Sequence, residues 1–390
     1  TGALMEKDNT KEAWDALAQK EKPVMVQIAP AVRVGISEEF GLEPGAISTG
    51  KVVAALKALG FDYVFDTNFA ADLTIMEEAN EFVNRLTKGG DLPIMTSCCP
   101  AWVNFCETQY PDLLKYLSTC RSPQSMFSPV ARYYFADKVL GKKADEVIVM
   151  SIMPCIAKKY EVAREEDGII DTDLSLTVRE LARMIKEAGI DLATIEEAEF
   201  DSPLGYSTGA ADIFGVTGGV LEAALRTAYT DVTKEELPDD AIEFKSVRGF
   251  EGIKEATVNV GGTDVNVVAA SSLGCARKLM DELRADLAAG KAPKYHIIEI
   301  MACPGGCVAG GGQPFHGGDY EKVKARGAGL YAIDANKPKR KSHQNEDIKK
   351  LYAEFLGERG GHNAHTYLHT HYFDRSNPYA KKTEAECTAE

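Results

Sequence analysis

The sequence holds no cysteine before Cys98, no internal repeat of solenoid type and no low-complexity linker. Nor does it hold an apolar run near the roughly eighteen residues that a membrane-crossing helix needs. The first stretch, Thr1 to Lys22, is charged and lacks the apolar centre of a secretory leader. Positive charge is also scarce: 44 Lys and Arg stand against 59 Asp and Glu, a formal net charge of −15. Such a field repels polyanions, so nucleic acid is excluded as a partner, and a membrane is not expected either. The one basic run, Lys337-Pro338-Lys339-Arg340-Lys341, reads as a solvated turn before a helix starting near Gln344, or as a dock for an acidic electron carrier.

Cysteine is present but not as a secreted framework. The nine cysteines are odd in number and unevenly spread, which points to a reducing, cytoplasmic compartment and to thiols used for metal. Five of them fall in three motifs: Thr96-Ser97-Cys98-Cys99-Pro100, Met153-Pro154-Cys155-Ile156-Ala157-Lys158 and Met301-Ala302-Cys303-Pro304-Gly305-Gly306-Cys307, the last running into Gly310-Gly311-Gly312-Gln313-Pro314. Cys99, Cys155, Cys303 and Cys307 would supply four sulfurs to one thiolate site, a donor set that suits an iron–sulfur cubane or zinc. The C-x3-C step of Cys303 and Cys307 fits neither compact ferredoxin runs nor paired zinc knuckles, and spacing leaves the metal open. Prolines beside the cysteines stiffen the turns, and the glycines would let backbone approach a bulky inorganic group.

A pass along the chain reads as α/β. Short apolar strands are expected at 23–28, 63–66, 92–95, 147–152 and 295–300, with helices at 49–59, 69–88 and 213–229 and a hairpin over 258–270 turning at Gly261-Gly262. Three of these strands empty directly into the cysteine motifs. Strands alternating with helices imply mostly parallel sheets, with ligands outside the carboxyl ends of the strands. Glu165 to Asp173 and Thr230 to Asp240 read as acidic surface stretches, and Ser376 to Glu390 as a loose tail. In the helix at 69–88, Ala71, Ile75, Glu78, Phe82 and Arg85 share one stripe, which sets Glu78 between two apolar side chains. That carboxylate is either part of a solvated face or a group whose burial raises its pKa into the range of a proton relay.

The three motifs, in this order, resemble the signatures of the iron-only (FeFe) hydrogenases. The resemblance runs from about Val24 to Arg375 and includes Gln27-Ile28-Ala29-Pro30-Ala31, Ser122-Pro123-Gln124, Gly215-Val216-Thr217-Gly218-Gly219-Val220 and His369-Thr370-His371-Tyr372. It implies two α/β lobes, roughly 23–120 and 121–375, with the metal cluster in the cleft between them, after an N-terminal extension over 1–22. It also implies an H-cluster: a 4Fe-4S cubane bridged by the Cys307 sulfur to a diiron unit carrying carbonyl, cyanide and dithiolate ligands. Cys99, Cys155, Cys303 and Cys307 would be the metal ligands. Cys98, Glu78, Ser118 and Glu81 would pass protons, although Cys98 read alone is equally a packed thiol. Lys158 would face a cyanide ligand, with Pro30, Ala31, Met153, Pro154, Gln124, Met301 and Phe214 around the cofactor.

The activity implied is reversible reduction of protons to dihydrogen, with electrons from a ferredoxin or flavodoxin and a diiron unit supplied by maturation proteins. Many relatives carry further iron–sulfur modules upstream, so the chain is either a minimal enzyme or the catalytic part of a longer one. A hydrogen sensor or an iron–sulfur assembly protein is the alternative; an assembly protein would be expected to lose Lys158 or the Cys98 relay. Cys106, Cys120, Cys275 and Cys387 have no partner at ligand spacing and earn no role, and the closing histidines His362, His365, His369 and His371 read as packing or capping groups.

Overall fold

The computed structural model describes residues 5–164, 169–238 and 241–377. Cys387, most of the expected tail, and parts of the two acidic stretches lie outside the described residues. Eight strands form two four-stranded sheets. The first holds β1 (Val24–Ile28), β2 (Tyr63–Asp66), β4 (Ile148–Met153) and β5 (Leu174–Thr177), in the order β2-β1-β4-β5 and parallel throughout. The second holds β3 (Ile94–Met95), β6 (Ile253–Val260), β7 (Thr263–Ser271) and β8 (Ile297–Met301), in the order β3-β8-β7-β6; only the β6–β7 hairpin is antiparallel. All five expected strands start within two residues of their predicted place, although β3 keeps only the last two residues of its own.

The sheets interleave in sequence. β3 belongs to the second sheet, whereas β4 and β5 return to the first, so the expected boundary near residue 120 confines neither sheet to one side. The extension is also part of the fold: a helix over Thr10–Ala18 buries Ala13 and Leu17 in the same core as Val24 and Val26. In the region 213–229, expected as a helix opened by a glycine-rich segment, a short 3-10 turn (Ile213–Gly215) precedes a helix over Gly219–Thr233. That helix takes in Thr230 to Thr233, which the sequence placed on a surface loop. Gly218 separates the two pieces with φ of +89°, and a Cβ there would meet the Val247 carbonyl oxygen at 1.9 Å.

The helix over Thr67–Lys88 runs between the sheets' cores. Asp66 caps it, accepting from the Asn68 amide at 2.9 Å. The same carboxylate receives both terminal nitrogens of the fully buried Arg33 at 2.6 and 3.1 Å. Asp212 lies 3.7 Å from Arg33 and 2.7 Å from Lys337; burial pushes its carboxyl up to about 6 against the pull of these two cations. The basic run is thus a clasp inside the fold. Lys337 pairs with Asp212, Lys339 with Glu346, Arg340 with Asp334 and Glu243, and the buried Lys341 with Glu236.

Arg33 sits on the 3-10 turn Pro30–Val34 that follows β1, so its pairing with Asp66 fixes the stretch carrying Pro30 and Ala31. Removing one member of a buried ion pair strands the other charge. Arg33→Met is expected to destabilise the chain by about 3–5 kcal/mol, read as a lower denaturation midpoint; an unchanged midpoint would mean that Asp66 is compensated elsewhere.

Candidate functional site

Four parallel strands stop at the same place. β1 leads into Pro30 and Ala31, β4 into Pro154 and Cys155, β3 into Cys98 and Cys99, and β8 into Cys303 and Cys307. The segments after them line one cavity with about 820 Å³ of atom-free space and almost wholly apolar walls. Pro30, Ala31, Cys98, Cys99, Gln124, Met153, Pro154, Cys155, Lys158, Phe214, Met301, Cys303 and Cys307 all face it. Every cofactor-side residue expected from the sequence is therefore brought together.

Two strand-end devices shape the cysteine loop. The Ser271 hydroxyl, at the end of β7, accepts from the Gly305 amide at 2.6 Å and donates to the Cys303 carbonyl at 3.3 Å. The Gly312 amide donates to the Pro154 carbonyl at 2.9 Å, which draws the Cys307 loop onto the Cys155 turn. Two of these glycines, Gly306 and Gly310, line the cavity, and both also bring protein segments close together. A Cβ on Gly310 would sit 2.0 Å from the Pro154 carbonyl oxygen, and one on Gly306, where φ is +100°, would sit 2.6 Å from the Thr217 amide.

The four thiols interact electrostatically. Burial raises Cys307 well above the usual thiol range, and Cys155, Cys99 and Cys303 add to the rise. Burial likewise pushes Cys155 up to about 12, with Cys99 and Cys303 contributing. Cys99, Cys155, Cys303 and Cys307 all line the one cavity, an all-thiolate donor set that suits an iron–sulfur cluster or zinc.

Cys98 and its neighbour diverge. Cys98 packs against the Ala71, Ile75, Phe214 and Met301 cluster, and Cys99 against the Met95 and Trp102 cluster. Burial holds the Cys98 thiol well above its usual range, and the nearby Glu78 adds to this. Glu78 is 6% exposed, between Ile75 and Phe82. Burial first, and the Glu81 charge second, push its carboxyl up to about 8, against a hydrogen bond with the Ser118 side chain. Ser118 donates to Glu81 at 2.8 Å, and Glu81 pairs with Arg85 at 2.5 Å, both side chains 13% exposed. These groups run away from the cavity behind Cys98. The solvated-face alternative for Glu78 does not hold.

Lys158 is held harder than the sequence suggested. Its ammonium donates to the Cys98 carbonyl at 3.2 Å, to the Ser122 hydroxyl at 2.8 Å and to Glu161 at 2.8 Å. Glu161 also accepts from Gln124 at 2.7 Å and from Ser122 at 2.9 Å. Burial alone would lower the Lys158 pKa, and Glu161 more than offsets that, so it stays charged at the wall. Glu161 was missed; its i, i+3 spacing from Lys158 on a short helix was the available signal. Cys120 was set aside, yet its buried sulfur lies 3.9 Å from Glu81.

The family description "Iron only hydrogenase large subunit, C-terminal domain" matches residues 22–311, and "Iron hydrogenase small subunit" matches 320–375. The chain belongs to the iron-only hydrogenase family. It is 52% identical over 384 residues to the NADP-reducing hydrogenase subunit HndD of Solidesulfovibrio fructosivorans, covering 96% of this chain and 64% of that protein. It is 52% identical over 309 residues to the periplasmic iron hydrogenase large subunit of Nitratidesulfovibrio vulgaris, covering 78% and 72%. A solved apo form of the FeFe-hydrogenase HydA1 from Chlamydomonas reinhardtii matches at 40% identity with a TM-score of 0.81, covering 94% of this chain and 99% of that one. Protein NAR1 of Arabidopsis thaliana is 30% identical over 396 residues, covering 95% and 81%. The chain thus spans about two thirds of the length of some of these relatives. No helix among the described residues is long and apolar enough to cross a membrane.

Gly310 tests how the site is assembled. Gly310→Ala is expected to leave the chain folded but to cut iron and sulfide incorporation several-fold, because the Cys307 loop must move off Pro154. Full incorporation would show that this approach is dispensable.

Proposed function

We propose that the chain is the catalytic part of an FeFe hydrogenase, interconverting protons and electrons with dihydrogen. The observation that carries this is the single cavity at which four cluster-type thiols meet a fifth, Cys98, backed by a carboxyl poised near neutral pH. When bound, the H-cluster, a 4Fe-4S cubane joined to a diiron unit with carbonyl, cyanide and dithiolate ligands, supplies electron storage and the dihydrogen chemistry. Cys99, Cys155, Cys303 and Cys307 would hold it. Met153, Met301, Phe214, Pro30, Pro154 and Ala31 keep water from it, and Lys158 sets a positive charge against its anionic ligands. Gln124, tied to Glu161, Ser151 and Ser175, holds the wall beside Lys158.

The chain's own part is proton supply. With its pKa near 8, Glu78 carries a proton at neutral pH and can donate toward Cys98 or toward Ser118. Ser118, already donating to the Glu81 carboxylate, can accept from a protonated Glu78, so the hydroxyl is oriented for transfer outward. Arg85 pairs with Glu81 at the far end at 2.5 Å. Electrons would come from a ferredoxin or flavodoxin, the diiron unit from maturation proteins, and the cytoplasm is the proposed location.

The assembly-factor reading draws on the NAR1 likeness at 30% identity. The presence of Cys98, Glu78 and Lys158 in one constellation, and the higher identity to hydrogenases, favour catalysis.

Anaerobic cluster-reconstituted protein loaded with a synthetic diiron cofactor should evolve dihydrogen from reduced methyl viologen. Cys98→Ala should keep its iron and lose more than about 100-fold in rate, as removal of a proton-transfer group does. No evolution by the loaded wild type would favour the sensor or assembly reading.

Glu78 also carries a pH signature. Its folded pKa, about 8, lies above the usual 4.5, so the native state binds this proton more tightly than the unfolded chain. The contribution is complete below the unfolded pKa and is lost as pH rises through the folded one. Glu78→Gln should therefore melt several degrees above wild type at pH 9 and near it at pH 5, with turnover abolished at both. Parallel melting curves would place Glu78 in contact with solvent.

A further inference from the structure

Ser118 has to keep its hydroxyl between two carboxyl groups, yet it lies on an extended stretch that belongs to neither sheet. One side of that stretch leans on β3: the Ser118 amide donates to the Met95 carbonyl at 2.7 Å, and Leu117 bridges Met95 in parallel. The other side is covered by the end of the described chain. The Thr370 amide donates to the Thr119 carbonyl and the Arg121 amide to the Leu368 carbonyl, each at 2.8 Å, an antiparallel bridge centred on Cys120 and His369. The Tyr372 hydroxyl donates to the carbonyl of Ser118 itself at 2.6 Å.

This strap is tied down beside the relay. The His369 Nδ1 lies 2.8 Å from the Thr119 hydroxyl, and its Nε2 lies 3.1 Å from Glu77. These partners select the tautomer in which Nε2–H donates to the carboxylate and Nδ1 accepts from the threonine. Glu77 is fully buried, directly precedes Glu78, and also accepts from the Tyr352 hydroxyl and from the Gly360 amide at 2.8 Å. Further on, the Phe373 amide and the Arg375 guanidinium bind the buried Glu107 at 3.2 and 3.0 Å. The strap is therefore fixed on both sides of Ser118, to the helix carrying Glu78 and Glu81 and to the helix that follows Cys99.

We propose that the segment 368–372, anchored through His369 on Thr119 and Glu77, sets the Ser118 hydroxyl between Glu78 and Glu81, which makes His369 a positioning residue of the proton relay. The inference rests on the relay reading of Cys98, Glu78, Ser118 and Glu81. His369 touches neither a relay side chain nor the cavity; it acts through the backbone of Ser118 to Arg121. Both of its ring nitrogens are engaged, so it has none left to offer a metal. His365, whose ring lies 4.2 Å from that of His369, is exposed. A relay of this kind depends on donor–acceptor distance, and a displacement near 1 Å costs up to about 100-fold in rate.

The test compares His369→Leu with His369→Gln, whose amide can still donate to Glu77, in the enzyme loaded with the synthetic cofactor. His369→Leu should keep its iron content and its dye KM but lose at least about 10-fold in kcat for dihydrogen evolution, with a larger solvent deuterium isotope effect. His369→Gln should recover most of the rate. In the protein before loading, the carboxylic C=O infrared band that disappears in Glu78→Gln should shift in His369→Leu, because its hydrogen bond with Ser118 has changed. If His369→Leu does not fold, Thr119→Val removes the same anchor at its other end and should show the same loss and the same band shift. A wild-type rate in the folded anchor variant, or equal losses in Leu and Gln with an unmoved band, overturns the proposal. An inactive Glu78→Gln beside an unimpaired His369→Leu would remove the strap's role alone, whereas an active Glu78→Gln would remove the relay on which it rests.

Discussion

The contact between the Pro154 carbonyl and the Gly310–Gly312 backbone is the constraint on which the site depends. Cys155 ends a strand of one sheet and Cys303 ends a strand of the other, and nothing in either sheet obliges them to meet. The Gly312 amide on the Pro154 carbonyl joins the two, and only a residue without Cβ tolerates the 2.0 Å approach at Gly310. Parallel strands suit such a site because their carboxyl ends present loops on one side. Here two sheets present those loops to each other, and the result is a cavity whose thiols come from three distant stretches of one chain.

Burial is used twice around that cavity, with opposite outcomes. Arg33, Asp66 and Asp212 are buried with the half-buried Lys337 as opposite charges in contact, so desolvation is partly offset and the group acts as a fastener. Glu78 is buried without a cation in contact, and its neighbour Glu81 adds repulsion; the carboxyl answers by keeping its proton. Glu81, only three residues along the same helix, has Arg85 beside it and accepts from the Ser118 hydroxyl. One helix thus holds two carboxyl groups on either side of a serine, and they differ in what surrounds each.

The cysteine motifs, the strands that lead into them and the Glu78 stripe were legible because each is local: a run, a spacing or a periodicity within about twenty residues. The strand β5 was not, since Leu174–Thr177 is short and follows an acidic stretch that reads as surface. The glycine-rich opening before the helix at 219–233 was legible, but not its 3-10 turn and left-handed Gly218, which answer to a packing against the Val247 carbonyl that periodicity does not register. The basic run was legible as charge but not as structure, because its acceptors Asp212, Glu236, Glu243 and Asp334 lie far away in sequence. The glycine loop was legible as a place of close backbone approach but its protein neighbours, the Pro154 carbonyl and the Thr217 amide, were not: composition shows that backbone must come close to something, not what that something is.

The same limit explains why His369 looked inert. Its two partners, Thr119 and Glu77, are separated from it by 250 and 292 residues, and a histidine between a hydroxyl and a carboxylate has no signature along the chain. The strap it anchors falls in the stretch matching the family's small-subunit description, whereas Ser118 falls in the large-subunit match. The proposed proton route would therefore be a joint product of both stretches. Cys98, Glu78 and Glu81 need only the helix and the strand end that carry them. Ser118 needs a second edge to its segment, and the only backbone paired along that edge, among the described residues, is 368–370. A chain lacking this strap could keep every cysteine in place and still lose the distance over which the proton has to pass.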